Sequence, residues 1–314
     1  MRSDQLSYPA TWWVAMLATV LLAVPNVSEG RDAAQIERLA AAFVPARLLD
    51  VHSDRDHNRS VFTLAGDQGE LSRALASGAR EAAESIDLAS HNGLHPHVGA
   101  LDVAPVVYTD DDARGPAIAE ALTAATLIGE LGIPVFLYGD LATQGGCRER
   151  ADVRRGGPAA LRERMASGEL RPDYGPAEIH PTAGATLVTA RPPLVAFNVE
   201  LAAGDLELAR AIAAEIRESG GGFRGVRAIG LLLEQSGRAQ VSMNVHDPAA
   251  APLGEIVARI ASRAPVAEAE LVGLAPAAAL ADFPDDVPLR NRRTIEDATV
   301  HNRSDGSDQA QAHA

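Results

Sequence analysis

The chain is 314 residues long, 46% hydrophobic but only 4% aromatic, with a net charge of −14. That length supports two modest domains with cores of Ala, Leu, Val and Ile, and the acidic balance argues against binding a nucleic-acid phosphate backbone. Every one of the 28 basic residues is arginine and Cys147 is the single cysteine, which excludes lysine Schiff bases, a P-loop lysine, disulfide frameworks and cysteine-based zinc sites.

The first predicted element lies inside an uncharged stretch, Tyr8 to Val24. It has the length of a leader or short anchor. Its second half runs into VPNVSEG, however, and no A-x-A site precedes the folded part. Leu17 to Val24 is therefore predicted as a first core strand, with Met16 as a possible start, residues 1–16 as an extension and a cytoplasmic location without membrane contact. A helix follows from Asp32 to Val44. Strands from Arg47 to Val51 and Ser60 to Ala65 come next, joined by the polar loop HSDRDHNR. A helix from Glu70 to Ile86 then leads to a strand near Val98 to Tyr108. That order is βαββαβ.

A helix from Gly115 to Gly132 and a short strand, Pro134 to Tyr138, precede a Gly-, Pro- and Arg-rich region with one clear helix, Pro158 to Ser167. The second half repeats the pattern: strand Leu194 to Leu201, helix Asp205 to Ser219, strands Val226 to Glu234 and Ala239 to Val245, helix Leu253 to Arg263, strand Ala267 to Leu274. Two copies of a split βαβ unit make an α+β protein of two ferredoxin-like subdomains. The boundaries fall at 17–190 and 191–283, and residues 284–314 turn polar and read as a disordered tail.

HPHVGALDVAPVVY, His95 to Tyr108, holds the chemistry. Two histidines and Asp102 stand at the mouth of a buried strand, where partial burial can tune a base. The competing reading makes both histidines surface turn residues. GGGFRG, Gly220 to Gly225, matches G-x-G-x-x-G but follows a helix and precedes a strand, the reverse of a dinucleotide loop, and is rejected. His95-x-His97 with Asp102 lacks the further ligands and barrel order of an amidohydrolase site, so no metal is expected. Arg59 and Arg191 stand at strand mouths suited to bidentate carboxylate contacts, with Asn198 in the strand after Arg191.

VPNVSEG, LLDVHSDRDHNRSVFTLAG, HPHVGALDVAPVV, PVFLYGD, PDYGP, GATLVTARPPLVAFNV, AIGLLL and AQVSMNV, in this order, resemble the glutamate formimidoyltransferases, the transferase part of formimidoyltransferase-cyclodeaminase. The resemblance runs from about Val24 to Leu280. It implies two ferredoxin-like subdomains facing each other across a folate-binding cleft, and a homodimer. It also implies transfer of the formimino group of N-formimidoyl-L-glutamate to N5 of tetrahydrofolate, which serves as co-substrate. His95 falls on the family's catalytic histidine, Arg191 on its substrate-contacting arginine, and Arg171, Pro172 and Asp173 on its folate-contacting segment. Asp102 is then a candidate partner for His95, with a turn-stabilising carboxylate as the other reading; Arg59 and Asn198 are candidate substrate holders. Three departures stand out. His97 replaces an arginine of the animal enzyme, His52 an aspartate and Thr189 a usual glycine. No cyclodeaminase domain is present, so a separate enzyme would process the product. The alternatives are a formyl-folate ligase, a formimino hydrolase or a non-catalytic folate-binding protein.

Overall fold

A computed structural model of the protein describes residues 21–300; the expected extension at 1–16, the start of the first strand at Leu17 and the last residues of the expected tail lie outside them. The strands are β1 (Leu21–Ala23), β2 (Asn26–Val27), β3 (Arg47–Asp54), β4 (Arg59–Gly66), β5 (Leu101–Val107), β6 (Val135–Leu137), β7 (Thr186–Arg191), β8 (Val195–Leu201), β9 (Val226–Leu232), β10 (Ala239–Val245), β11 (Val266–Leu271) and β12 (Leu289–Arg290). The helices are α1 (Ala33–Ala42), α2 (Glu70–Ser85), α3 (Arg114–Glu130), α4 (Arg150–Arg154), α5 (Gly157–Ala166), α6 (Leu206–Ile216) and α7 (Leu253–Ala261). The molecule is α+β, built on two sheets.

In the first sheet β3 pairs with β4, β4 with β1 and β2, and these with β5, all antiparallel. β7 and β6 then extend it in parallel. The second sheet runs β12-β11-β8-β10-β9, antiparallel except for β12. β7 is absent from the sequence-based prediction. Its apolar run is broken by Thr186 and Thr189, whose hydroxyls are satisfied inside the sheet by the Leu101 and Tyr138 carbonyls at 2.8 and 2.7 Å.

Strand alternation divides each sheet into a helix-facing and an inner surface. On the first, Phe62, Leu64, Ala104 and Val106 pack with residues of α1, α2 and α3, while Val61, Thr63, Val103, Pro105 and Val107 face a cavity. On the second, Phe197, Val199, Val241 and Met243 pack with residues of α6 and α7. Its other surface carries Asn198, Glu200, Gln240, Ser242 and Glu270, four of them buried polar groups. Asp32 caps α1, accepting from Ala34 and Gln35. Glu120, buried on α3, accepts from the Gly69 and Ser72 amides and so supplies an anionic cap for α2. The segment between β6 and β7 folds onto the cavity side of the first sheet: Val153, Leu161 and Met165 pack with Val103, Phe136 and Leu187.

The expectation that the chain is disordered from residue 284 is corrected up to residue 300. β12 joins β11, Arg293 pairs with buried Asp50 at 2.5 Å, and Ile295 packs on Leu22, Ala65 and Val107. Composition alone misleads here because the order comes from individual long-range partners. No helix among the described residues is long and apolar enough to cross a membrane.

Candidate active site

Both sheets contribute to one cavity. The first supplies an apolar floor, including Val61, Val103 and Pro105; the second supplies Ala196, Asn198, Ser242 and Asn244. His57, Arg59, His95, Arg150 and Arg191 add the charged and titratable groups. A second chamber continues past His95 and is lined by Arg150, Arg154, Arg217 and Arg227, again with Ser242 and Asn244. His95 and Arg150 border both.

The turn before β5 positions His95. Its Nδ1 lies 2.8 Å from the Pro96 carbonyl. A carbonyl only accepts, so Nδ1 carries the hydrogen and Nε2 is left as the base. Burial, together with Arg59 and Arg154, lowers the imidazole pKa well below 6.5. The resting side chain is therefore neutral at pH 7. The His57 ring centroid is 6.0 Å away, and His57 Nε2 is buried without a hydrogen-bond partner.

Asp102 is not the partner of His95. Its Oδ1 accepts from the Val98 amide at 2.9 Å; its Oδ2 receives Arg59 at 2.8 Å and also Arg154. Burial alone would raise this carboxyl, but the two guanidinium groups hold it at about 2. The strand-mouth carboxylate ties the HPHV turn and α4 to the sheet instead of touching the imidazole, in line with the turn-stabilising reading. Arg59 is held by this pair and by the Asn26 side chain at 3.0 Å, and its pKa falls to about 10 through burial.

Arg191 and Asn198 both line the cavity. Arg191 bonds the Pro192 carbonyl at 2.9 Å; burial lowers its pKa to about 10, leaving it charged at neutral pH. Asn198 reaches Glu270 at 3.4 Å. Arg171, Pro172 and Asp173 line neither chamber. Asp173 instead accepts from the Leu137 amide at 2.7 Å and from Thr143, fixing the end of β6. Cys147 is buried, and burial pushes its thiol up to about 11, away from nucleophilic use.

Sequence reasoning missed Arg150 and Arg154. A signal was present: in RERADVRRG the two stand four residues apart, the spacing that places side chains on one helix face. Their helix is too short and polar to register as a periodic element. Among the described residues, no group of three or more His, Cys, Asp or Glu side chains is placed to hold a metal ion.

Comparison with known proteins identifies the family. Residues 20–191 match the family model described as the formiminotransferase domain, N-terminal subdomain, and residues 196–297 match the formiminotransferase domain. Glutamate formimidoyltransferase of Streptococcus pyogenes serotype M1 is 42% identical over 275 residues, 85% of this chain and 92% of that one. Its namesake in Thermoplasma acidophilum is 36% identical, covering 82% and 89%. Formimidoyltransferase-cyclodeaminase of Sus scrofa is 36% identical over 82% of this chain but only 50% of its own length. With both family models matched in order, the chain belongs to the formiminotransferase domain family.

Proposed function

We propose that the protein is a glutamate formimidoyltransferase, moving the formimino group of N-formimidoyl-L-glutamate to N5 of tetrahydrofolate and releasing L-glutamate in histidine degradation. One observation carries the reading: a neutral histidine with a free Nε2 stands where a chamber with an apolar floor meets a second, arginine-lined one. The two chambers suit a flat folate and an acidic amidine. N5 attacks the amidine carbon, the tetrahedral adduct loses the N5 proton to His95 Nε2, and the departing glutamate nitrogen takes it back. Neighbouring arginines disfavour the imidazolium, so the proton is handed on rather than retained. General acid–base transfer of this kind contributes about 10²–10⁴-fold. Arg191 and Asn198 hold substrate from the cavity wall.

We read the two βαββαβ units as ferredoxin-like and facing across a folate cleft. The strand orders β3-β4-(β1, β2)-β5 and β11-β8-β10-β9 support this, since each places the unit's first strand between its third and fourth. A homodimer follows from the family resemblance; light scattering tests it.

The deciding assay follows folate-dependent glutamate release by the full chain beside His95→Ala. A loss of about two or more orders of magnitude in kcat, with unchanged thermal unfolding, is the expected result. Formate or formamide release without folate would point to hydrolysis, nucleotide dependence to ligation, and folate binding without turnover to a binding protein.

A further inference from the structure

The second chamber is rich in arginine, and Arg150 is the arginine that lines both chambers. Arg227 is neutralised by Glu149 at 3.0 Å and Glu218 at 2.5 Å. Arg154 pairs with Asp102, a carboxylate it shares with Arg59. Arg150 has no carboxylate within ion-pair distance and no side-chain hydrogen bond among the described residues; its guanidinium carbon lies 5.9 Å from the Tyr138 ring centroid. That cation–π contact engages the charge and leaves the N–H donors without a hydrogen-bond partner among the described residues. Nearby, Arg217 Nε is buried without a partner. A half-buried guanidinium left uncompensated is costly, yet this chain has 42 acidic residues against 28 basic ones. The described residues thus leave Arg150 open to an anion from a bound ligand.

From this geometry we propose that Arg150 is a specificity-determining residue that grips the carboxylate of a glutamyl group beside His95. The inference rests on the transferase reading and deepens it. Both substrates of that reaction carry a glutamyl group, so the chemistry is shared. Position favours the formimino donor. Arg150 and His95 border both chambers, and the donor's carboxylates lie only a few bonds from the nitrogen that leaves. The glutamyl tail of a folate is separated from N5 by the whole aminobenzoyl spacer. Planar, bidentate capture of a carboxylate is the task for which an arginine edge is built. It would fix the departing nitrogen against Nε2, so that binding and proton delivery share one anchor.

The experiment compares the full-length wild type with Arg150→Leu, Arg150→Lys and, as a matched surface-charge control, Arg114→Gln, whose exposed side chain pairs with Asp140 at 3.3 Å. Steady-state constants are measured for N-formimidoyl-L-glutamate, for tetrahydrofolate and for its triglutamate. L-glutamate binding is measured calorimetrically, without turnover. Expected is a rise of about tenfold or more in the donor KM of Arg150→Leu, a smaller change in kcat, and partial recovery in Arg150→Lys. L-glutamate affinity should weaken in parallel, with melting temperatures unchanged. A rise in the triglutamate KM alone would keep the glutamyl assignment and move its source to the folate tail. Unchanged constants for all three substrates would overturn the proposal. Should the wild type show no turnover, the transferase reading fails separately. Calorimetry then decides on Arg150: L-glutamate binding lost in Arg150→Leu sustains the subsite, and absent or equal binding removes it.

Discussion

Asp102 gathers three donors on one side chain: the Val98 amide on Oδ1 and two guanidinium groups on Oδ2. Replacing it with Asn keeps the shape but leaves Arg59 and Arg154 as buried, unpaired cations, a change that costs about 3–5 kcal/mol. The penalty depends on pH. The folded carboxyl titrates at about 2 against an ordinary value of 3.8, so the stability it supplies is whole above the ordinary value and fades as the pH falls through the folded one. Urea unfolding should therefore separate Asp102→Asn from the wild type widely at neutral pH and bring the two together in strong acid. The same arginines act on His95, whose pKa they lower together with burial. Under the proposed mechanism, base catalysis by Nε2 should give a kcat/KM profile whose acid limb lies below the ordinary histidine range. Arg154→Gln removes a positive neighbour, which raises the imidazole pKa, so the limb should move to higher pH. A limb that stays in place in this variant would show that Arg154 has no electrostatic hold on the base.

At the scale of elements, α2 owes its seat to a missing side chain. A Cβ at Gly78 would lie 2.0 Å from the Phe43 ring, and Phe43 in turn packs against Phe62 of β4, the rings tilted with centroids 5.0 Å apart. Alanine is the better helix former by about 1 kcal/mol, yet Gly78→Ala should destabilise the protein by about 1–3 kcal/mol through overpacking, read as a fall in the denaturation midpoint at constant slope. Elements of this kind were legible in the sequence where periodicity was strong: α2 begins at the predicted Glu70, and β10 has the predicted bounds Ala239 and Val245. β3 and β4 run further into the HSDRDHNR loop than predicted, because Asp54 and Arg59 continue the ladder that Ser53 and Ser60 reinforce with a 2.8 Å hydroxyl contact. α4 and β7 were not legible. One is too short to show a period, and the other is a parallel strand whose threonines satisfy their hydroxyls only once the sheet exists.

For the molecule as a whole, sequence order conveyed the repeated βαββαβ pattern but not what the inner sheet surfaces bring together. Arg59, His95 and the stretch from Arg191 to Asn198 are far apart in the chain and border one cavity; Arg171 to Asp173, nearer to Arg191 in sequence than Arg59 or His95, line neither chamber. Asp102 illustrates the same limit, since its partner Arg154 comes from a segment in which no strong motif marks the contact. The connections between the sheets are also uneven. The chain crosses from the first to the second between Arg191 and Val195, and Ile295 packs against Leu22 and Val107 near that end, because Val107 is in register with Arg191. At the opposite end, the Gln235 amide meets Asp56 through one bond of 3.3 Å. The protein is thus bound like a book, with its spine at Arg191 and its fore-edge near the histidine turn. A slot joined in this way would open first at its fore-edge and stay closed at its spine.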